Sequence, residues 1–228
     1  MGPSPAYEER VRNDPKRWLP YAIGSGHAQL VLDVLKENPS LLHERWSGNA
    51  TPLLTAAYAE QHGIAESLLA MGARMDFITA VALNRSQLVR AMLEEQPSLI
   101  LKHSPVQIGC MQIAARYADI EMLRLLIDAG GDVNDNTNPK KMTPLFYAWQ
   151  EPYDRAELLL ATGANVNSSS KNGYTVLHLA ARAGWLKLVE LFLAHGANVN
   201  SQTRGRHTPW AFAVIGGHRE ISALLLLN

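Results

Sequence analysis

LLLATGANVN (Leu158–Asn167) and LFLAHGANVN (Leu191–Asn200) are nearly the same ten residues, and their last asparagines lie 33 positions apart. LLIDAGGDVN (Leu125–Asn134) stands another 33 positions upstream of Asn167. A fixed period of this length marks a chain assembled from repeated supersecondary units, so it takes precedence over any local motif. Extended backward, NGYTVLHLAARAGWLKLVELFLAHGANVN from Asn172 matches IGCMQIAARYADIEMLRLLIDAGGDVN from Ile108, their Ala-Ala-Arg triplets 66 positions apart. Further copies start at Thr51, Met142 and His207. Two weaker ones, LVLDVLKENPSLL from Leu30 and LVRAMLEEQPSLI from Leu88, match each other.

Each copy has a physical reading. Thr51, Thr143 and Thr208 each precede a proline, and Thr-Pro pairs a capping hydroxyl with a first helical residue that needs no N–H, so each pair predicts a helix start. Small pairs follow at Ala56-Ala57, Ala114-Ala115 and Ala180-Ala181, where another backbone can approach closely. A turn near Gly26, Gly184 or Gly217 precedes a second apolar run at helical spacing, such as Leu188, Val189, Phe192 and Leu193. Gly72, Gly130, Gly163 and Gly196 stop that second helix, as a left-handed residue can. In the weaker copies Pro39 and Pro97 stop it instead, because proline cannot continue a helix. Polar tracts, DNTNPKK (Asp135–Lys141) and SSSKNG (Ser168–Gly173), read as short projecting, hairpin-like turns.

The TPLH-like starts (Thr51-Pro52-Leu53, Thr143-Pro144-Leu145, Thr175-Val176-Leu177-His178), the Gly-His pairs (Gly26-His27, Gly217-His218) and the Gly-Ala-Asn-Val-Asn endings resemble those of an ankyrin-repeat protein. The resemblance covers about Asp14 to Asn228 and implies an all-α fold, a curved solenoid of stacked helix-turn-helix repeats. It places an N-terminal extension or cap at 1–13 and repeats at about 14–44, 45–76, 77–101, 102–134, 135–167, 168–200 and 201–228, the first and third degenerate. Some residues depart from the pattern. Gln112 stands where His178 does, Glu60 and Ala118 replace the turn glycine, and the unit starting near Met142 is one residue short between its helices, around Pro152.

One helix pair cannot cover its own apolar stripe, so each unit is stable only between neighbours. An alanine-rich inner layer beside a leucine-rich outer one predicts curvature, with inner helices and turns on the hollow side. The resemblance implies that a partner protein or peptide binds there, through turn tips and exposed inner-helix positions. Carried over residue by residue, these are Ser47, Ala50 and Tyr58; Ile108, Arg116 and Tyr117; Lys140, Met142 and Gln150; Lys171, Tyr174 and Arg182; and Arg204, His207 and Ile215. The basic members predict a preference for acidic or phosphorylated segments, anchored by the Arg and Tyr types that dominate binding hot spots. The plainer alternative is a solvated face, since exposed charges contribute little.

Other functions find less support. Lys+Arg and Asp+Glu both number 21 and the pI is about 7.1, so no field of one sign draws in nucleic acid or an anionic membrane. No apolar run reaches spanning length, and the N-terminus lacks signal-peptide character. A single cysteine, Cys110, fits a reducing compartment, so an intracellular, cytoplasmic protein is expected. Cys110 aligns with Val176 and reads as a core residue. The resemblance assigns His27, His178 and His218 to hydrogen bonds that lock the fold. No histidines have metal-ligand spacing, and GSG (Gly24–Gly26) lacks the preceding strand of a phosphate loop. Trp18, Trp46, Trp149, Trp185 and Trp210 read as scattered, with no stacking platform. A non-catalytic scaffold without cofactor or metal is therefore expected. The competing class is an enzyme, or the recognition part of a larger one, with Cys110 or a histidine recruited to the scaffold. Leu225–Leu227 predict a monomer with an association route through the C-terminal end.

Overall fold

A computed structural model describes residues 2–46, 50–104, 107–151 and 153–227. Candidate residue Ser47, and Pro152 in the shortened unit, lie outside them. The described residues form helices joined by turns, without an extended strand, in two compact units, 1–106 and 107–228.

In the first unit the helices are α1 (Pro5–Asn13), α2 (Pro15–Gly24), α3 (Ala28–Glu37), α4 (Pro52–Tyr58), α5 (His62–Ala70), α6 (Phe77–Ala82) and α7 (Ser86–Glu95). Short polar side chains start α1, α2, α4 and α6: Ser4, Asp14, Thr51 and Asp76 accept the backbone N–H of Tyr7, Arg17, Leu54 and Thr79, three residues on. Each bond satisfies one of the donors that a helix start leaves open. Helices α3 and α7 end before Pro39 and Pro97, and both run on into 3₁₀ turns, Pro39–His43 and Pro97–Leu101. The first helices of successive pairs, α2, α4 and α6, stack on one another, and α3 lies beside α5. Ala56 and Ala57 on α4 are almost wholly buried, as that close stacking requires. Leu19, Ile23, Leu35, Leu53, Leu54 and Leu68 fill the core. Helix α1 lies against α2 and α3, burying Val11 and pairing Arg12 with Glu37.

The second unit holds α8 (Cys110–Tyr117), α9 (Ile120–Asp128), α10 (Asp154–Ala161), α11 (Val176–Ala183), α12 (Leu186–Ala194), α13 (Pro209–Ile215) and α14 (Arg219–Leu227). Helix α8 stacks on a 3₁₀ turn at Pro144–Tyr147 and α11 on α13, while α9 lies beside α10 and α12 beside α14. Ile113, Met122, Leu123, Leu126, Leu159 and Leu177 form its core.

Two expectations about local structure are corrected. Thr208 caps α13 through Ala211 N–H, but Thr143 starts only the four-residue 3₁₀ turn. Phe146 N–H, the donor a capping hydroxyl would receive, goes to the Thr143 carbonyl at 3.0 Å, leaving Thr143 Oγ1 buried without a partner among the described residues. The same unit is one residue short further along the sequence, around Pro152. The second correction concerns the glycine-less turns. Glu60 takes the left-handed conformation itself (φ 56°), as Gly184 does (φ 80°). Ala118 instead stays extended (φ −92°), and Asp119 caps α9 through Met122 N–H at 2.8 Å.

Within the second unit, asparagines at the ends of successive repeats link one repeat to the next. Asn167 Nδ2 donates to Gly196 O at 2.9 Å, and its Oδ1 accepts Asn198 N–H at 2.8 Å. Asn134 does the same to Gly163 and Asn165, at 3.0 and 2.8 Å. Within each ending the first Asn of the pair accepts the N–H of the second, Asn165 from Asn167 and Asn198 from Asn200, both at 2.9 Å. The period therefore serves construction here, since Asn134 and Asn167 each tie their turn to the next.

Candidate functional site

Between α9 and α13 the chain projects three short hairpins. Asn138, Ser170 and Thr203 open them, and their side-chain oxygens accept the N–H of Met142, Tyr174 and His207 four residues later. The residue before each closing position is left-handed: Lys141 (φ 54°), Gly173 (φ 80°) and Arg206 (φ 60°). Neighbouring tips are joined through the main chain, Lys171 N–H to Lys140 O at 2.8 Å and Arg204 N–H to Asn172 O at 3.0 Å. Five expected positions meet at these tips. Lys140, Met142, Lys171, Tyr174 and Arg182 line one groove of about 370 Å³, together with Phe146 and Leu179. The three cations are exposed, Met142, Tyr174 and Leu179 are half-buried, and Phe146 is buried. The floor is thus apolar and the rim positive.

Arg116, Tyr117 and Gln150 gather beside a second, more open groove lined by Trp149, Gln150, Glu151, Tyr153 and Trp185. The Arg116 guanidinium lies 4.4 Å from the centre of the Trp149 ring and 5.1 Å from that of Tyr117. Trp149 in turn stacks on Trp185, centroids 5.2 Å apart and planes 6° from parallel. The expectation of scattered tryptophans is therefore wrong for this pair. Loss of the inner helix after Tyr147 leaves Trp149 free to lie flat on the residue that follows the Gly184 turn. The two sit 36 positions apart, close to one period, which was the available signal.

Arg155, which the sequence reading passed over, holds this corner. Buried on α10, it donates to Ala118 O at 2.9 Å and Arg116 O at 3.3 Å, the carbonyls at the end of α8, and to Gln150 Oε1 at 2.9 Å. A cation at the negative end of a helix is favourable. Gln150, expected to face a partner, is half-buried with its amide oxygen engaged by Arg155. An internal arginine has no periodic signature, so nothing in the sequence pointed to it.

The remaining candidates are placed as follows. Arg204 and His207 belong to the third hairpin, both exposed, with the His207 ring 5.9 Å from Phe212. Ile215 ends α13 at 67% exposure, and Ile108 is half-buried ahead of α8. Tyr58 and Ala50, both half-buried, belong to the first unit and are not part of this cluster. At the C-terminal end Leu225 faces the core, and Leu226 and Leu227 are exposed.

Cys110, His178 and His218, the groups with nucleophilic or acid–base chemistry set in the helical stack, are engaged structurally. Cys110 is buried, and burial pushes its thiol up to about 12, so the thiolate needed by a nucleophile is scarcely populated at neutral pH. His178 is fully buried. Its Nδ1 accepts Thr175 N–H at 3.1 Å, which leaves Nε2 to donate to His207 O, also at 3.1 Å. Burial lowers its pKa. His218 bonds Arg182 O through Nε2 at 3.1 Å, its ring filling the space where a side chain on Gly184 would stand. His27 meets Tyr7 edge-on at 5.5 Å. Gln112 takes the place of His178 in the earlier unit, donating to Asp135 O at 2.8 Å. Among the described residues no three acidic, His or Cys side chains converge as a metal site, and no helix is long and apolar enough to cross a membrane.

The family described as "Ankyrin repeats (3 copies)" matches residues 77–170 and 150–228. Among curated proteins, the nuclear factor NF-kappa-B p105 subunit of Gallus gallus is 30% identical over 180 residues. That alignment takes in 71% of this chain and spans 18% of the length of the relative.

Proposed function

Because the chain belongs to the ankyrin-repeat family, whose repeats are generally protein–protein interaction modules, we propose that it is a non-catalytic scaffold that binds a segment of a partner protein on the inner-helix and hairpin side of the 107–228 unit. The array is taken to run from 14 to 228, with 1–13 covering its first helix pair. One observation carries the reading: Lys140, Lys171 and Arg182, from adjacent hairpins and the end of α11, converge on one groove whose lining contains no carboxylate among the described residues. Acidic segments fit such a rim, and charge complementarity there mainly raises the rate and specificity of encounter. Arg116 on Trp149 and the exposed Arg204 would extend the contact to either side.

The experiment is a titration of labelled peptides, matched in length and differing in net charge, followed by fluorescence anisotropy. Acidic peptides should bind, weaken as salt is raised, and weaken again in a Lys171→Glu, Arg182→Glu double variant. Basic peptides binding as well as acidic ones, or indifference to the charge reversal, would reject the proposal.

A further inference from the structure

Among the described residues no carboxylate forms an ion pair with Lys140, Lys171 or Arg182, whereas Arg12, Lys16 and Arg85 pair with Glu37, Glu44 and Glu66. Three uncompensated cations around one groove is more positive charge than a single carboxylate neutralises. A phosphate monoester carries about −1.5 to −2 charges at neutral pH and three strong acceptor oxygens, enough to serve two ammonium groups and a guanidinium together. The main-chain positions of the two lysines are tied together, since Lys171 N–H bonds Lys140 O at 2.8 Å.

The floor narrows the choice further. Beneath the rim lie Met142, Phe146 and Leu179, an apolar bed that a phosphoserine side chain is too short to cover. A phosphorylated aromatic side chain has the matching anatomy, an apolar ring with the dianion at its far end. We propose that this groove holds a phosphotyrosine of the partner segment, its ring against Met142, Phe146 and Leu179 and its phosphate shared by Lys140, Lys171 and Arg182. The inference rests on the reading that this face binds a partner segment, and it makes that binding conditional on phosphorylation of the partner.

The test uses the full chain and labelled peptides that share one flanking sequence and differ only at the central residue: phosphotyrosine, tyrosine, phosphoserine or glutamate. Phosphotyrosine should bind about tenfold or more tighter than tyrosine, the gain of one good contact, and measurably tighter than phosphoserine or glutamate. Lys171→Glu and Arg182→Glu, both at exposed positions, should each cut the preference for phosphotyrosine over tyrosine. Met142→Ser should reduce only the preference for phosphotyrosine over phosphoserine. With the unmodified chain, phenyl phosphate should displace the phosphotyrosine peptide at lower concentration than inorganic phosphate. Equal affinity for phosphotyrosine and phosphoserine, or for phosphotyrosine and glutamate, overturns the inference and leaves the acidic-segment reading standing. Failure of all four peptides together with a long acidic one overturns both.

Discussion

Replacing Asn167 by alanine removes two bonds between consecutive turns at once, the donation to Gly196 O and the acceptance from Asn198 N–H. A net hydrogen bond contributes about 0.5–1.5 kcal/mol, and both groups left behind are exposed and can turn to water, so the loss should be about 1–2 kcal/mol. For a chain of this size that is a fall in melting temperature of roughly 2–8 °C. Asn200→Ala is the internal control. It has the same residue type, exposure and place in the motif, but no described side-chain bond to a following turn, so it should cost at most about 0.5 kcal/mol, as an ordinary surface change does. Asn134→Ala, whose bonds to Gly163 and Asn165 repeat the pattern, should behave like Asn167→Ala. Urea unfolding followed by circular dichroism measures all three. If Asn167→Ala and Asn200→Ala have the same midpoint and slope, the asparagine ladder does not stabilise the stack and the reasoning from the period to construction fails.

Three further outcomes follow from the same structure. Thr143→Val should be neutral or stabilise by up to about 1 kcal/mol, because it deletes a buried hydroxyl without a partner among the described residues, whereas Thr51→Val, which loses the cap on Leu54 N–H, should cost about 1 kcal/mol; denaturant midpoints of the two variants decide the sign. His178 has a folded-state pKa below its ordinary 6.5, so the unfolded chain binds the proton more readily; its contribution to stability is whole above about pH 6.5 and is lost as the pH falls below that value toward the lowered folded pKa. Melting curves across that window should show a decline that His178→Gln makes shallower. Cys110 should react slowly with a thiol reagent in the native chain and at the rate of a free thiol in denaturant, and fast native labelling would reopen a catalytic role.

The parts of the fold that depend on recurrence were readable from the sequence, because stacked units impose the same requirement at the same register. Gly72, Gly130, Gly163 and Gly196 all take positive φ at helix ends, as their place after each apolar run implied. Residues acting once, at a break in the pattern, were not readable. Thr143 carries the same Thr-Pro signal as Thr51, yet it starts only a 3₁₀ turn in which the Phe146 N–H goes to a carbonyl. The site divides in the same way. Lys140, Lys171 and Arg182 occupy surface positions that the repeat predicts, and they do line one groove. The stacking of Trp149 on Trp185 beneath Arg116 and the buried Arg155 fall at the irregular unit, and of these residues the repeat marked only Arg116.

The bonds joining the hairpin tips run from amide to carbonyl, Lys171 to Lys140 and Arg204 to Asn172, and use no side-chain atom. The lateral order of the tips is consequently indifferent to the side chains displayed at Lys140, Lys171 and Arg204, while Gly173 and the hairpin-opening Asn138, Ser170 and Thr203 stay fixed. Such a surface can be rewritten one tip at a time, in nature or at the bench, with its frame carried over unchanged, so that a new preference is reached by substitution without refolding the scaffold.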